Sequence, residues 1–505
     1  MVDRKPKRRS CSEGYRDLQT ISGKAARNAV FVLLGRVAVL GLNMVTIVIL
    51  ARAWGEEMFG IFSYALVLVG FFALLPDFGM QPVLIREMAR RRSQAGEIVG
   101  LALLSKAILA AFSLLLMIGC MVTLYHDPRL RVAIAWLGLT ILISAKLNTL
   151  RVALEGVFYA DMDMGLPVVL QLLDNVLQVV LVGALVLCRA APGQVIAAYA
   201  LSNLPGLVLT VIYALKRVRP VFRLEPRAVC WLFKESVPLF LYLGLTMLYE
   251  RIDVLFLNAL WGEGAVGIYS TAFRFTAPLG FVPFAVATAL YPIMAKAAGA
   301  EDDKLGVAFS MGLKVLLLIG LVLGVAVAIV GKPFFVLFFG ERFAAAALPF
   351  QLLLWSQCFM FLTFFMVDFN NSRNRQARNT LFVMSMLAMA VPVQWWFISR
   401  LGVLGASWAK LLLNAAGFAV LYGLSRQMLT DGQAKVARRA AFALAAFVAV
   451  AVVKLLRGGP EVLFAVVLIA LLLVSLHRLF SPRERELLRQ AVRTVVPAAP
   501  PISLG

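Results

Sequence analysis

Nine basic and five acidic side chains fall inside stretches of sequence otherwise apolar enough to cross a bilayer. The basic set is Arg36, Lys106, Lys146, Arg151, Arg251, Arg274, Lys314, Lys410 and Lys454, and the acids are Glu155, Asp174, Glu250, Asp253 and Asp368. An ionised side chain at the centre of a bilayer costs at least ~2.5–3.5 kcal/mol, so each marks a passenger site, an ion relay or a structural pair. The basic excess favours an anionic passenger. A phosphate would meet charge-assisted hydrogen bonds, bidentate ones from Arg, whereas a hydrophobic cation would be repelled.

Arg36, Arg251 and Arg274 each lie at least nine residues from either end of their apolar stretch, and a guanidinium cannot be neutralised. Two readings fit them, cavity-lining cations and members of structural ion pairs. Lys106, Lys146, Lys314 and Lys410 lie about two turns from a helix end, where a long side chain can snorkel to the interface. Of these, Lys146 and Lys314 join the three arginines as candidate substrate-binding cations. Glu250 and Asp253 sit three residues apart on one helix face, with Arg251 turned about 100° away. Either acid could pair with Arg274 or Lys314, or bind a coupling H+ or Na+; Asp368 is a third candidate for that role.

Gln171, Asp174, Asn175 and Gln178 recur at i, i+3, i+4 and i+7, a polar stripe on an otherwise apolar helix. It suits sugar hydroxyls in a cavity and equally suits hydrogen bonds to a neighbouring helix. Arg151 and Glu155 form an i,i+4 pair that reads as local stabilisation. His126 and His477 stand at helix ends, and the five cysteines are scattered without ligand spacing, so neither a metal site nor a disulfide framework is expected. No G-x-x-x-x-G-K-[ST] phosphate loop occurs, and no cofactor is expected. Energy would have to come from an H+ or Na+ gradient, the membrane potential or the substrate's own gradient.

The elements that must position these residues are membrane helices. The chain of 505 residues is 61% hydrophobic, with a mean hydropathy of +0.87, well above the ~45–50% apolar content of soluble chains. A crossing takes ~20 apolar residues. The first six candidates are Ala26 to Leu50, Met58 to Phe78, Ile98 to Leu124, Val132 to Leu154, Leu166 to Leu187 and Val195 to Leu215. Six more follow at Val237 to Leu260, Ala265 to Ala289, Leu305 to Val330, Leu348 to Phe369, Thr380 to Ile398 and Val403 to Leu424. A last pair is Ala440 to Leu456 and Val462 to Phe480, for about 14 transmembrane helices in an all-α polytopic protein.

A net charge of +22 raises nucleic acid as a partner, but no polar domain carries the basic residues. They sit between apolar runs instead. Assigning loops to alternate sides places 32 Lys and Arg with the two termini and 8 opposite, so both termini read as cytoplasmic. The polar start and a first apolar run of about 25 residues, with Arg36 inside it and no small-residue cleavage site, read as a membrane helix rather than a cleaved signal. Loops on the outer side are too short for a folded catalytic domain. Ser481-Pro-Arg-Glu opens a tail that fits either a short surface helix or a frayed end.

Trp54-Gly-Glu-Glu-Met-Phe-Gly-Ile-Phe-Ser-Tyr-Ala65 and Trp261-Gly-Glu-Gly-Ala-Val-Gly-Ile-Tyr-Ser-Thr-Ala272 agree at seven of twelve positions. Six crossings separate the copies, so they read as parallel repeats of a two-lobed alternating-access transporter. Pro278, Gly280 and Pro283 interrupt the eighth helix, and Pro167, Pro205, Pro238 and Pro392 lie in or at the starts of others, as hinges or broken helices would require. The domains expected are a basic tail (1–25), an N-terminal six-helix lobe (26–215), a cytoplasmic linker (216–236), a C-terminal six-helix lobe (237–424), an extra helix pair (440–480) and a cytoplasmic tail (481–505).

With the repeat come Ala51-Arg-Ala-Trp-Gly, Gly60-Ile-Phe-Ser-Tyr, Asp77-Phe-Gly-Met and Ile85-Arg-Glu-Met-Ala-Arg. Further on are Arg251-Ile-Asp253, Val266-Gly-Ile-Tyr-Ser-Thr-Ala-Phe-Arg274, Leu337-Phe-Phe-Gly-Glu-Arg-Phe343 and Gly402-Val-Leu-Gly-Ala-Ser-Trp-Ala409. In their order these resemble the polysaccharide-transport branch, the lipid-linked oligosaccharide flippases, of the multidrug, oligosaccharidyl-lipid and polysaccharide exporter superfamily. The resemblance spans about Ala26 to Leu424. It implies two six-helix lobes around a central cationic cavity that opens to each leaflet in turn and passes an undecaprenyl-diphosphate-linked sugar outward. It carries Arg36, Arg251 and Arg274 over as cavity-lining basic residues.

The expected function is translocation of lipid-linked oligosaccharide from the cytoplasmic to the outer leaflet of a bacterial plasma (inner) membrane, for O-antigen, capsule or exopolysaccharide assembly. Membrane lipids, a polysaccharide polymerase and glycosyltransferases are the expected partners, and nucleic acid is not. A cation-coupled multidrug exporter would show an acidic interior. A membrane glycosyltransferase would show a large outer loop. A peptidoglycan lipid-precursor flippase shares nearly every feature read here.

Overall fold

The computed structural model describes residues 11–147, 150–161, 163–223, 225–287, 290, 303–373, 375–457, 467–468, 470–472 and 474–475. All regular structure among them is helical. Contacts divide the chain into two compact units, residues 1–247 and 248–505. The expected crossing from Val462 to Phe480 lies mostly outside the described residues, as do the side chain of Lys454 and the tail from Ser481.

The first unit begins with a 67-residue helix, α1 (Cys11–Asp77). There follow α2 (Met80–Arg90), α3 (Ala95–Leu124), α4 (Pro128–Gly138), α5 (Thr140–Ile143), α6 (Leu150–Ala160), α7 (Gly165–Leu187), α8 (Pro192–Leu201), α9 (Leu204–Arg217) and the start of α10 (Pro226–Thr276). The second unit holds the rest of α10, then α11 (Asp303–Phe339), α12 (Ala347–Ser372), α13 (Gln376–Ser425) and α14 (Asp431–Arg457). Eight segments are long and apolar enough to cross a membrane. Three of them, at 57, 62 and 48 residues, exceed one ~20-residue crossing more than twofold.

Each long segment contains a helix kinked at a glycine. Gly55 has φ 73° and ψ −173°, Gly262 has φ 76° and ψ −174°, and Gly402 has φ 54° and ψ −127°. A Cβ is strongly disfavoured at such angles, so glycine is what lets helix be followed by helix with no loop. The first two are the glycines of the repeated Trp-Gly. The repeat is therefore one of backbone as well as of sequence.

Two expected crossings are broken. Val132 to Leu154 is distributed over α4, α5, a 3-10 turn at Ala145–Leu147 and α6. Ser144 adopts an extended conformation, and its hydroxyl accepts the Lys146 N–H at 3.2 Å, a donor the helix would otherwise have used. Val195 to Leu215 is divided between α8 and α9, where Asn203 Nδ2 donates back to the carbonyls of Tyr199 and Ala200. In the second unit α10 gives way to a 3-10 turn at Ala277–Gly280, where Pro278 and Gly280 fall, and Pro283 lies in the helical stretch that follows.

Packing follows the demands of lipid. α3 turns Ile108, Phe112, Leu115 and Val122 outward, as a helix facing acyl chains can. The first unit's core joins α2, α3, α6 and α9 through Met80, Leu84, Val99, Phe158 and Ala214. In the second, Phe309, Leu313, Phe361, Phe365 and Phe369 join α11 to α12, with α14 closing the cluster through Leu444 and Phe447.

Candidate functional site

The first unit holds a buried charged network built by α6, α7 and α9. Arg151, with a fully buried side chain, donates to Glu155 at 3.0 Å and to Asp174 across to α7. Asp174 Oδ1 also accepts the Gly206 backbone N–H at 3.0 Å. A Cβ on Gly206 would stand 2.1 Å from that oxygen, so only glycine brings the α9 backbone this close. Arg151 Nη2 and Asn175 Oδ1 are buried without a hydrogen-bond partner among the described residues.

Beside this network Lys146 Nζ donates to Asn43 Oδ1 at 2.9 Å and Gln178 Oε1 at 3.1 Å, and it stands 5.7 Å from the Tyr199 ring centroid. Gln178 Nε2 passes the chain on to Thr46 Oγ1 at 3.2 Å. The stripe residues Asp174, Asn175 and Gln178 are all buried; Gln171 is half-buried and reaches Glu155 at 3.5 Å. Three of the four are thus engaged by neighbouring helices. Arg36 is exposed on α1.

In the second unit the centre is Asp253. Its Oδ2 accepts Tyr269 O–H at 2.6 Å and Lys410 Nζ at 3.3 Å. Lys410 also donates to the Glu250 carbonyl at 2.9 Å and lies 5.4 and 5.7 Å from the rings of Tyr249 and Phe273. Arg251 stacks on the other partner, its guanidinium 4.6 Å from the Phe273 centroid. Arg251 and Arg274 are half-buried, Lys314 is buried and the Glu250 side chain is exposed. Asp368 is half-buried beside Asn371 Nδ2 at 3.5 Å.

Sequence reasoning missed Asp77, which lies 3.6 Å from the fully buried Lys106. Neither Lys106 nor Lys410 snorkels; each meets an acid within its own unit. The signal available was Asp77-Phe-Gly at the end of an apolar run, where Phe78 and Gly79 have positive φ and end α1. The lysine nodes do share one legible feature. Asn43 and Glu250, and likewise Thr46 and Asp253, are separated by the same 207 positions as Trp54 and Trp261.

Among the described residues no group of His, Cys, Asp and Glu could hold a metal ion. Neither Arg36 nor Arg251 has a carboxylate within ion-pair distance among those residues. Chemically, then, each unit carries an internally compensated charge cluster and a cation not spent on an acid.

Residues 25–298 match the family model described as polysaccharide biosynthesis protein, and residues 238–396 match the model described as MatE. No curated protein matches significantly. Among solved structures, the lipid II flippase MurJ in an inward closed conformation is similar at 13% identity and a TM-score of 0.66, covering 92% of this chain and 100% of that one. An inward-facing multidrug resistance MATE family transporter of the MOP superfamily has 16% identity and a TM-score of 0.65, covering 77% and 94%. The Vibrio cholerae MATE transporter VcmN in its bent form has 14% identity and a TM-score of 0.54, covering 81% and 98%. At these identities the likeness is one of fold.

Proposed function

The chain belongs to the polysaccharide biosynthesis protein family of the MOP exporter superfamily, and from that premise we propose that it is a flippase for undecaprenyl-diphosphate-linked oligosaccharide. It is a multi-pass membrane protein with a transporter fold. On this reading it works in a bacterial inner membrane with both termini cytoplasmic, carries its cargo outward by alternating access and catalyses no covalent step. The cargo would serve O-antigen, capsule or exopolysaccharide assembly, handed from glycosyltransferases to a polymerase.

The observation that carries the reading is the distribution of compensated and uncompensated charge. Asp77, Asp174 and Asp253 each meet a basic side chain within their unit, so these three offer a cationic drug no free carboxylate, whereas Glu250 is exposed and Asp368 lies beside Asn371. Arg36 and Arg251 are not spent in this way, and an Arg exposed to lipid is costly. They suit a diphosphate, which accepts bidentate hydrogen bonds and carries the charge they lack. Coupling to H+, Na+ or the membrane potential fits the same scheme.

The test is the leaflet distribution of lipid-linked oligosaccharide in cells lacking this protein, complemented with the native chain or with Arg251→Ala. Accumulation on the cytoplasmic leaflet that only the native chain clears supports the reading. An unchanged distribution of that lipid with accumulation of the peptidoglycan precursor, or of an exported drug, would replace it by one of the alternative cargoes.

A further inference from the structure

Between α9 and α10 the first unit carries a strap, described at residues 218–223 and 225, that is fixed to α3 by backbone contact. Val221 N–H donates to Gly96 O at 2.9 Å. A Cβ on Gly100 would lie 2.0 Å from Val221 O, and one on Gly96 would lie 2.5 Å from Arg219 O. Gly96 and Gly100 stand one turn apart on one face, so they form a slot that only glycine leaves open. Consequently an irregular segment follows a set path across the end of a membrane helix.

What the strap presents is amphiphilic and strongly basic. Arg219 and Arg223 on it, and Arg227 on the first turn of α10, are exposed. Phe222 is 61% exposed, and Trp231, one turn beyond Arg227, is 39% exposed. Nearby cations of this region are already engaged: Arg217 with Asp161 and Asp163, and Arg86 with Glu235. Arg219, Arg223 and Arg227 have no carboxylate within ion-pair distance among the described residues; Glu225 is the one acid within the strap. Three cations interleaved with exposed aromatics, where α9 ends and α3 and α10 begin, have the chemistry of a bilayer interface.

We propose that this strap is a binding site for the phosphate of an anionic phospholipid headgroup, with Phe222 and Trp231 seated among the acyl chains beneath it. The guanidiniums supply charge-assisted donors, and the glycine slot keeps them at a constant spacing. This site shares no residue with the cargo cations Arg36 and Arg251 and stands whether or not the cargo is a glycolipid.

The experiment is native mass spectrometry of the purified full chain titrated with phosphatidylglycerol or with phosphatidylcholine. Variants are Arg219→Gln/Arg223→Gln/Arg227→Gln and, separately, Gly100→Ala, which displaces the strap while keeping its charges. Three cations near a surface amount to roughly a hundredfold in partition of an anionic lipid. Retention of phosphatidylglycerol over phosphatidylcholine in the native chain, lost in both variants at unchanged melting temperature, supports the site. If Gly100→Ala does not fold, Val221→Pro replaces it by removing the donor to Gly96. Equal retention of the two lipids overturns the proposal. So does loss in the charge variant alone, which is diffuse surface charge, and so does selective retention of a prenyl diphosphate with phosphatidylglycerol ignored, which assigns the strap to cargo.

Discussion

Lys410→Met removes a buried ammonium and leaves Asp253, among the described residues, with the Tyr269 hydroxyl and the neighbouring Val254 N–H as donors. Breaking a buried pair from one side costs about 3–5 kcal/mol, because a desolvated charge is left behind. Asp253→Asn keeps an oxygen for Lys410 at a comparable 3.3 Å, and the ammonium retains the Glu250 carbonyl and two ring faces. Its cost is therefore nearer the ~1.5–3 kcal/mol of a hydrogen bond to a charged group. The double variant removes both charges at once, so it should be less damaged than the sum of the singles, with a coupling of at least ~1 kcal/mol. The assay is unfolding of the purified chain in detergent, run as a double-mutant cycle and paired with transport in reconstituted vesicles. Additive costs would refute the pair as an energetic unit. Because Asp253 Oδ2 is already held by Lys410 and Tyr269, the double variant should also keep transporting. A folded double variant that has lost transport and its dependence on an ion gradient would refute that reasoning and make Asp253 a coupling residue.

Gly262→Ala should lower stability by about 1–3 kcal/mol, whereas Gly264→Ala should raise it by roughly 0.5–1 kcal/mol. Neither added methyl meets an atom within 4 Å, so melting of the two variants isolates backbone strain, and equal melting would sink the argument. Gly206→Ala should cost about 2 kcal/mol or more, since its Cβ would be 2.1 Å from Asp174 Oδ1; protease resistance of the folded chain reads the loss. Glu235→Gln breaks an ion pair whose side chains are 48% and 42% exposed, and a stability change within about 1 kcal/mol is expected. Asn43→Asp turns a 2.9 Å lysine–amide contact into an ion pair, and a denaturation midpoint at or above the native one is expected if Lys146 supplies the compensating charge.

The membrane helices were legible because hydrocarbon selects them by composition, and the repeat because Trp-Gly recurs at a fixed separation. The glycines at the kinks were visible as residues but not as angles, since nothing in a single sequence separates Gly262 in a left-handed conformation from Gly264 in an ordinary helix. Side-chain pairing across helices was hardest to read. Arg151 and Glu155 declare themselves by i,i+4 spacing, but Asp174 joins them only because α7 packs on α6, which local spacing does not encode. Lys106 and Lys410 read as snorkelling because distance to a helix end was the available measure. Their acids lie on other helices, so burial rather than reach decides where the ammonium goes.

The two lysine nodes carry a further step. One acceptor of each lysine occupies an equivalent position of the repeat, the Asn43 side-chain amide and the Glu250 backbone carbonyl, but the lysines do not: Lys146 comes from the broken segment between α5 and α6, and Lys410 from the second half of α13. A polar pair duplicated whole would have kept both partners in register. What repeats is one polar face, two positions three residues apart on the first helix of each copy, beside an ammonium that is exposed in the first unit and buried in the second. The first unit meets the ammonium with the amides of Asn43 and Gln178, and the second with the Asp253 carboxylate and the Glu250 carbonyl. Desolvation weighs on the buried Lys410 and much less on the exposed Lys146, so a full carboxylate answers the ammonium in the second unit where neutral amides suffice in the first.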